Sequence, residues 1–320
     1  MLRLHPFVRF AAAMGLMALA ASAQVLWKEP AAMSVEDWVW GPGGKQAAPQ
    51  PPYTFLKENL DGTNPKIDVK DAAGRTWVVK FGSEIHSDTF AARFVYAMGY
   101  ATSPAFFVPD GSIAGVQGLK RAKVFVAKDG SFRNARFKLH ERHKTQWSWV
   151  ENPFLNSQEL GGLKVVVMLL SNWDTKDARD PDGGNNGVFE GGRFGDSAWF
   201  AVTDWGASLG KSGGYFQRDR WDWRGYSLQT ASFASLRSDG TVQWGFRGKH
   251  GDDIVSGVGV QQVRWILPYL ARVTDEQLMA AMTASGATPE AGTQFTRAIR
   301  QRIQILQRIA APANQEITAR

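Results

Sequence analysis

The sequence predicts an α+β protein in two lobes, and three observations predict it. Short alternating runs fill the chain from residue 53 to about residue 130. Helical patterns dominate from residue 131 to the C-terminus. One clear helical repeat, around Phe90, sits inside the first region. A β-rich stretch with one helix, followed by a helix-rich stretch, is the grammar of segregated rather than alternating layers. The expected division is a leader at 1–23, a tail and Pro/Gly-rich linker at 24–52, a small β-rich lobe at 53–130 and a larger mainly helical lobe at 131–320.

The leader has a positive start (Arg3, Arg9), an apolar run from Phe10 to Ala20 and the small-residue site Ala21-Ser22-Ala23. That run is short for a membrane span, and no stop-transfer pattern follows. The expectation is export, with cleavage before Gln24, to the periplasm or the extracellular space, leaving no membrane span. The chain has no Cys, which closes the lipoprotein route and excludes a disulfide framework. "GPGGKQAAPQPP", residues 41–52, is the linker.

"KIDVK", "DAAGR" and "TWVVKFG" read as strand, turn, strand. In "SEIHSDTFAARFVYAMGY", Phe90, Phe94, Val95 and Met98 recur at helical spacing, Ser83 or Ser87 can cap the start, and Gly99 stops the helix. "SPAFFVP", "SIAGVQGL" and "AKVFVAKDG" are further strand candidates. A buried helix is expected from Gln158 to Ser171, then two strands, "GVFEGG" and "SAWFAVTDWG". Thr274 to Gln277 forms a capping box before a helix that ends at Gly286. The last helix begins near Pro289 and places Phe295, Ile299, Ile303 and Leu306 on one face.

Composition narrows the function. The formal charge of +7 loses two units with Arg3 and Arg9, and the remainder is spread out, not gathered into the basic stripe that nucleic acid requires. No nucleic-acid partner is expected. Thirteen Trp suit core packing or sugar stacking.

Several residues can carry chemistry. Gly62, Thr63 and Asn64 form a turn at a strand edge that can aim N–H groups and a hydroxyl at an anion, although the same letters make an ordinary turn. Lys66 and Lys80 would supply charge there. Glu84 and Asp88 are four apart at a helix start, so they share a face, and either can pair with Lys80. Asp174 follows an apolar helix at a sharp polar break, where a rigidly held carboxylate can take a hydroxyl proton. Asn185 and Asn186 offer amide oxygens to a hard cation, and Asp204 a carboxylate. Arg220, Trp221 and Trp223, downstream, suit an acidic or sugar acceptor.

The ordered set "DGTNPKIDV…WVVKFG…NWDTK…NN…VTDWG" resembles the atypical kinase-like superfamily of HipA-type and phosphatidylinositol-kinase-like enzymes. The resemblance spans about residues 60–210. It implies a two-lobed protein-kinase-like fold, with ATP and Mg²⁺ as cofactors and phosphotransfer to a hydroxyl acceptor on a protein, glycan or lipid head group. By the resemblance Asp174 is catalytic, Gly62, Thr63, Asn64, Lys66 and Lys80 bind the nucleotide with Glu84 or Asp88 behind the lysine, and Asp204 with Asn185 or Asn186 binds the metal. The sequence departs from the pattern in two places. Arg179 stands five residues after Asp174, where a simple kinase loop has its metal-binding Asn, and Trp205 replaces the usual Phe of an Asp-Phe-Gly turn.

Three other readings fit the same letters: a catalytically inactive kinase-like scaffold in the envelope, a sugar-active hydrolase using paired carboxylates, and a loose Ca²⁺ loop running from Asp180 to Glu190.

Overall fold

The computed structural model describes residues 22–214 and 216–312, so the expected leader falls almost wholly outside the described residues. In chain order the elements are β1 (Gln24–Val25), α1 (Val35–Trp40), β2 (Tyr53–Asn59), β3 (Lys66–Lys70), β4 (Thr76–Lys80), α2 (Ile85–Ala97), β5 (Ala105–Ala114), β6 (Ser131–Leu139) and β7 (Thr145–Gln146). Then follow α3 (Gln158–Leu169), β8 (Asn186–Phe189), β9 (Ala198–Val202), α4 (Trp223–Leu228), β10 (Ala234–Leu236), β11 (Val242–Trp244), α5 (Gly251–Val255), α6 (Val260–Ala271), α7 (Asp275–Ala284) and α8 (Pro289–Ala310). The mixture of strands and helices is α+β. No described helix is long and apolar enough to cross a membrane.

Five strands close a barrel in the order β2-β3-β4-β6-β5. Period-two alternation turns Ile67, Val69, Trp77, Val79 and Phe137 into its own apolar core. The hairpin expected from "KIDVK" and "TWVVK" is present and sets Lys66 directly opposite Lys80.

Two barrel strands have no counterpart in the sequence expectation. In β2 the register shifts between Phe55 and Lys57, which breaks the alternation and leaves Leu56 exposed. In β6 Asn134 has φ 52°, and the pairing with β5 skips there, so the pattern of Phe132 and Phe137 is out of phase. The strand expected from "AKVFVAKDG" is instead a 3₁₀ turn at Ala122–Val124. Its cause is local: the Glu58 carboxylate accepts from the N–H groups of Lys120, Arg121 and Ala122, which ties them into a turn instead of a ladder.

A second, larger core gathers the helices. It includes Phe90 and Phe94 of α2, Val165 to Leu170 in and after α3, and Phe295, Ile299 and Ile303 of α8. Leu26 and Trp38, upstream of the linker, are buried in it too. The expected capping box on α7 forms, with Thr274 accepting from the Gln277 N–H and Gln277 accepting from Thr274 N–H. The sheet β1-β9-β8-β7 lies beside this core. Its strand β9 delivers the Asp204 turn.

α2 joins the two parts. Eleven of its thirteen residues are buried, so it packs on all sides and has little freedom to move alone. Its first turn faces the end of β4, and this fixes Glu84 beside Lys80.

Candidate functional site

Lys80 ends β4 and is 8% exposed. Its ammonium lies 2.7 Å from Glu84 Oε2 and 3.4 Å from Asp204 Oδ2. Glu84, at the N-cap of α2, is therefore the acid that pairs with the strand lysine. Burial acts to lower the Lys80 pKa, but Asp204 and Glu84 overcome it and hold the group above its ordinary value.

Asp88 does something else. Its carboxylate is bound by Arg136 and lies 3.6 Å from Lys138, both on β6. Burial would raise its pKa, yet Lys138 and Arg136 keep it low. Asp88 also accepts from the Trp205 N–H at 3.2 Å, while Lys138 donates to the Thr203 carbonyl. The two residues flanking Asp204 are thus clamped by one ion pair, buried Asp88 and half-buried Lys138.

Asp204 itself is held at several points. Its Oδ1 accepts from Gly206 N–H at 2.8 Å, and Asn172 Nδ2 donates to its carbonyl at 3.1 Å. Burial opposes its charge, but Lys80, Lys138 and the Gly206 N–H hold the carboxyl well below the usual range. Gly206 is required by space: a Cβ there would lie 2.9 Å from Glu84 Cβ.

Asp174 sits beyond α3 with its side chain one-third exposed and Lys176 Nζ 3.8 Å away. Burial raises its pKa, and repulsion from Asp204 and Glu84 raises it further, against Lys176 and the Asn185 amide. The two residues before Asp174 tie its loop to the Asp204 turn: Trp173 N–H donates to the Ala207 carbonyl at 3.4 Å, and Asn172 to the Asp204 carbonyl. Asn185 Nδ2 donates to the Asp174 carbonyl at 2.6 Å, and Thr203 N–H donates to the Asn185 carbonyl at 2.6 Å. Asn185 therefore stitches the Asp174 loop to the end of β9. Asn186, next along the strand, falls on the opposite face; it is buried, and neither amide atom has a hydrogen-bond partner among the described residues.

Lys66, opposite Lys80, is half-buried. It makes no hydrogen bond or ion pair among the described residues. Burial and then Lys80 lower its pKa, and Asp61 and Asp204 pull the other way. In the preceding turn the carbonyls of Leu60, Gly62 and Thr63 accept from the Arg121 guanidinium. Among the described residues the N–H groups of Gly62, Thr63 and Asn64 have no acceptor. Half a loop is fixed and the other half is open to an anion.

Arg220 is bound to Glu84 Oε1 and stacks 4.9 Å from the Trp173 ring. Trp221 is tucked between His86 (5.3 Å, nearly parallel) and Phe295 (4.8 Å), so its ring serves packing. The stretch from Asp180 to Glu190 does not gather its acids at one point. Asp180 binds His250 at 2.7 Å and Lys249 at 3.1 Å, whereas Glu190 pairs with Lys144 at 2.6 Å.

Four contributors escaped the sequence: Arg136 and Lys138 on the out-of-phase strand β6, Asn172 as the support of Asp204, and the grip of Arg220 on Glu84. The "ARFKL" alternation, with Arg136 and Lys138 two apart, was the available signal for the first two.

No protein-family model and no curated protein matches this chain. Among solved structures, a Golgi casein kinase superposes with TM-score 0.44 at 11% identity, over 84% of this chain and 75% of that one. A MAP kinase from Leishmania major superposes with TM-score 0.22 at 11% identity, over 81% and 82%. Both TM-scores lie below 0.5, and the functional assignment rests on the chain's own side chains.

Proposed function

We propose that this chain is an exported phosphotransferase of kinase-like fold. The barrel with α2 acts as the small lobe and the helical body as the large one, and the terminal phosphoryl group of ATP passes to a hydroxyl acceptor. One observation carries the reading. A buried lysine at a strand end is held between a helix-start glutamate and a loop aspartate drawn from 124 residues away, 2.7 and 3.4 Å from its nitrogen. Such a lysine is aimed, not merely solvated, and this is the arrangement that phosphoryl transfer needs.

The residues fit a magnesium nucleotide. Among the described residues Lys66 offers a half-buried ammonium with no hydrogen bond or ion pair and the Gly62–Asn64 N–H groups have no acceptor, and Asp204 keeps Oδ2 on the side of Lys80. Asp204 and the Asn185 amide oxygen would hold the metal. When bound, the magnesium nucleotide supplies the transferable phosphoryl group and neutralises its charge. Lys80 and Lys66 orient the phosphates. Asp174, whose proton affinity is raised, takes the proton of the acceptor hydroxyl as that oxygen attacks. Glu84 keeps Lys80 in place, and Arg220 keeps Glu84 in place.

Titration calorimetry with ATP tests the reading. Binding is expected with Mg²⁺, much weaker without it, and lost in Lys80→Met. Absence of Mg²⁺-dependent nucleotide binding in the folded protein would remove the proposal. Export belongs to the same proposal and rests on residues 1–23. N-terminal sequencing of the secreted chain should begin at Gln24, and retention of those residues would remove that part.

A further inference from the structure

A hollow lies at the far ends of α2 and β9, away from the Lys80 site. Its volume is about 380 Å³, within the range of small-molecule sites. Tyr96 at the end of α2, Phe194 in the turn before β9 and Trp199 on β9 give it aromatic walls, with Lys28 and Glu29 of the N-terminal segment on one side.

The wall from the N-terminal segment is built in. Trp27 Nε1 donates to the Met98 carbonyl at 2.7 Å, and Lys28 N–H donates to the Gly99 carbonyl at 3.0 Å. Gly99 is needed for this approach: at φ 89°, a Cβ there would lie 2.3 Å from the Lys28 carbonyl oxygen.

Tyr96 is 42% exposed on a helix that is otherwise almost entirely buried, so one large ring is offered where the rest pack. The Phe194 ring is stacked on Phe189 at 5.2 Å and lies 6.3 Å from Trp199. These contacts hold the walls at fixed angles.

Charge then selects the ligand. Arg193, also on the rim, is neutralised by Glu141 at 2.9 Å and lies flat on Phe194 at 4.0 Å. The side chains of Lys28 and Glu29 and the Tyr96 hydroxyl make no hydrogen bond or ion pair among the described residues. Lys28 and Glu29 both line the hollow, so its rim carries one ammonium-bearing and one carboxylate-bearing residue. An anionic ligand would satisfy Lys28 and oppose Glu29, and a cationic ligand would do the reverse. An uncharged ligand carrying both donors and acceptors satisfies both, and the aromatic walls require it to have an apolar face as well.

A polar edge with an apolar face and no net charge describes a pyranose ring. We infer that this hollow binds a neutral saccharide, separately from the phosphotransfer site. The inference does not depend on nucleotide binding.

Saturation-transfer NMR on the full chain tests it with cellobiose, maltose and N,N′-diacetylchitobiose as probes. Glucosamine, glucuronate and adenosine are the contrasts. At least one neutral disaccharide should receive saturation, and more than either charged sugar. Tyr96→Ala, which removes an exposed ring, should weaken that binding about tenfold, the equivalent of one aromatic contact. Trp199→Ala should do the same, and because Trp199 also packs against Phe194, the exposed Tyr96 variant keeps the test valid if that one misfolds. Silence from all three disaccharides, affinity unchanged in a folded Tyr96→Ala variant, or saturation of adenosine alone would each overturn the inference.

Discussion

Two acidic clusters flank the loop that follows α3, and they have opposite characters. Around Lys80, the carboxylates of Asp204 and Asp174 are each about one-third exposed, and Lys66 stands nearby with no ion pair among the described residues. A few residues on, Asp177, Asp180 and His250 bring their ligand atoms within 4.8 Å of one another, which is close enough to hold a cation. Yet here every demand is already met. Asp177 accepts from the Arg179 guanidinium and from Trp149 N–H at 2.8 Å, and Asp180 is bound by His250 and Lys249. Arg179 reaches Asp253 as well, at 2.7 Å. The protein's own cations fill the second cluster, so it is a structural knot. A buried acid whose partners are all supplied internally has no valence left for a ligand. What separates the clusters is unmet hydrogen-bond and charge demand, not the number of acids.

Mutation should therefore give opposite results in the two places. In the open cluster, Asp174→Asn removes the proton acceptor without emptying the core. Under the phosphotransfer reading, turnover should fall by about 10²–10⁴, while the denaturation midpoint stays near the parent's. Steady-state rates and urea melts on the same preparation check both halves. A rate unchanged by the substitution would take Asp174 out of the chemistry and make the two clusters alike.

The knot should fail in the other sense. Asp177→Ala leaves the buried Trp149 N–H without its acceptor and Arg179 with half its partners, a loss of about 2–4 kcal/mol in urea unfolding. Nucleotide binding should be unaffected. The knot should also register in acid. Burial works to raise the Asp177 pKa, but the Arg179 bonds overcome it and depress the folded value to about 2, against about 3.9 unfolded. The stabilisation is complete above the unfolded value and is lost as pH falls from about 4 toward 2, amounting to about 2–3 kcal/mol. Asp177→Ala should flatten that part of the acid melt, and an equally steep curve in the variant would show that the knot contributes nothing.

Much of this was legible in the letters. The β3–β4 hairpin, α2, the α7 box and the face of α8 follow from period and caps because each pattern is local. Lys80, Asp174 and Asp204 were legible too, as polar residues placed where an apolar element breaks. What failed has a common cause. β2 and β6 each carry an irregularity that resets the period, at Phe55–Lys57 and at Asn134. β6 in addition sends Phe137 into the barrel core and Arg136 and Lys138 out on the other face, where they meet Asp88 of α2, so a face that period alone would assign to solvent is covered by a helix. Whether Glu84 or Asp88 serves Lys80 was beyond sequence, since both lie on one helix face and only the placement of β6 separates them. That the knot's acids are already partnered was equally hidden, because Asp253, Lys249 and His250 lie some 70 residues downstream of the loop that they bind.

The smallest effect is the most discriminating. Lys66 is held below its ordinary pKa by burial first and by Lys80 second, so in the free protein its charge is a slight liability. Lys66→Met keeps the stem and removes the ammonium. The variant should be as stable as the parent or marginally more so, because the opposing charge has gone. Its affinity for the magnesium nucleotide should nonetheless fall about tenfold, the value of one charge-assisted contact to phosphate. Stability and binding then move in opposite directions, which no merely structural lysine does. If thermal melts instead show a loss of stability while calorimetry shows unchanged affinity, Lys66 has a partner in the fold and belongs with the knot.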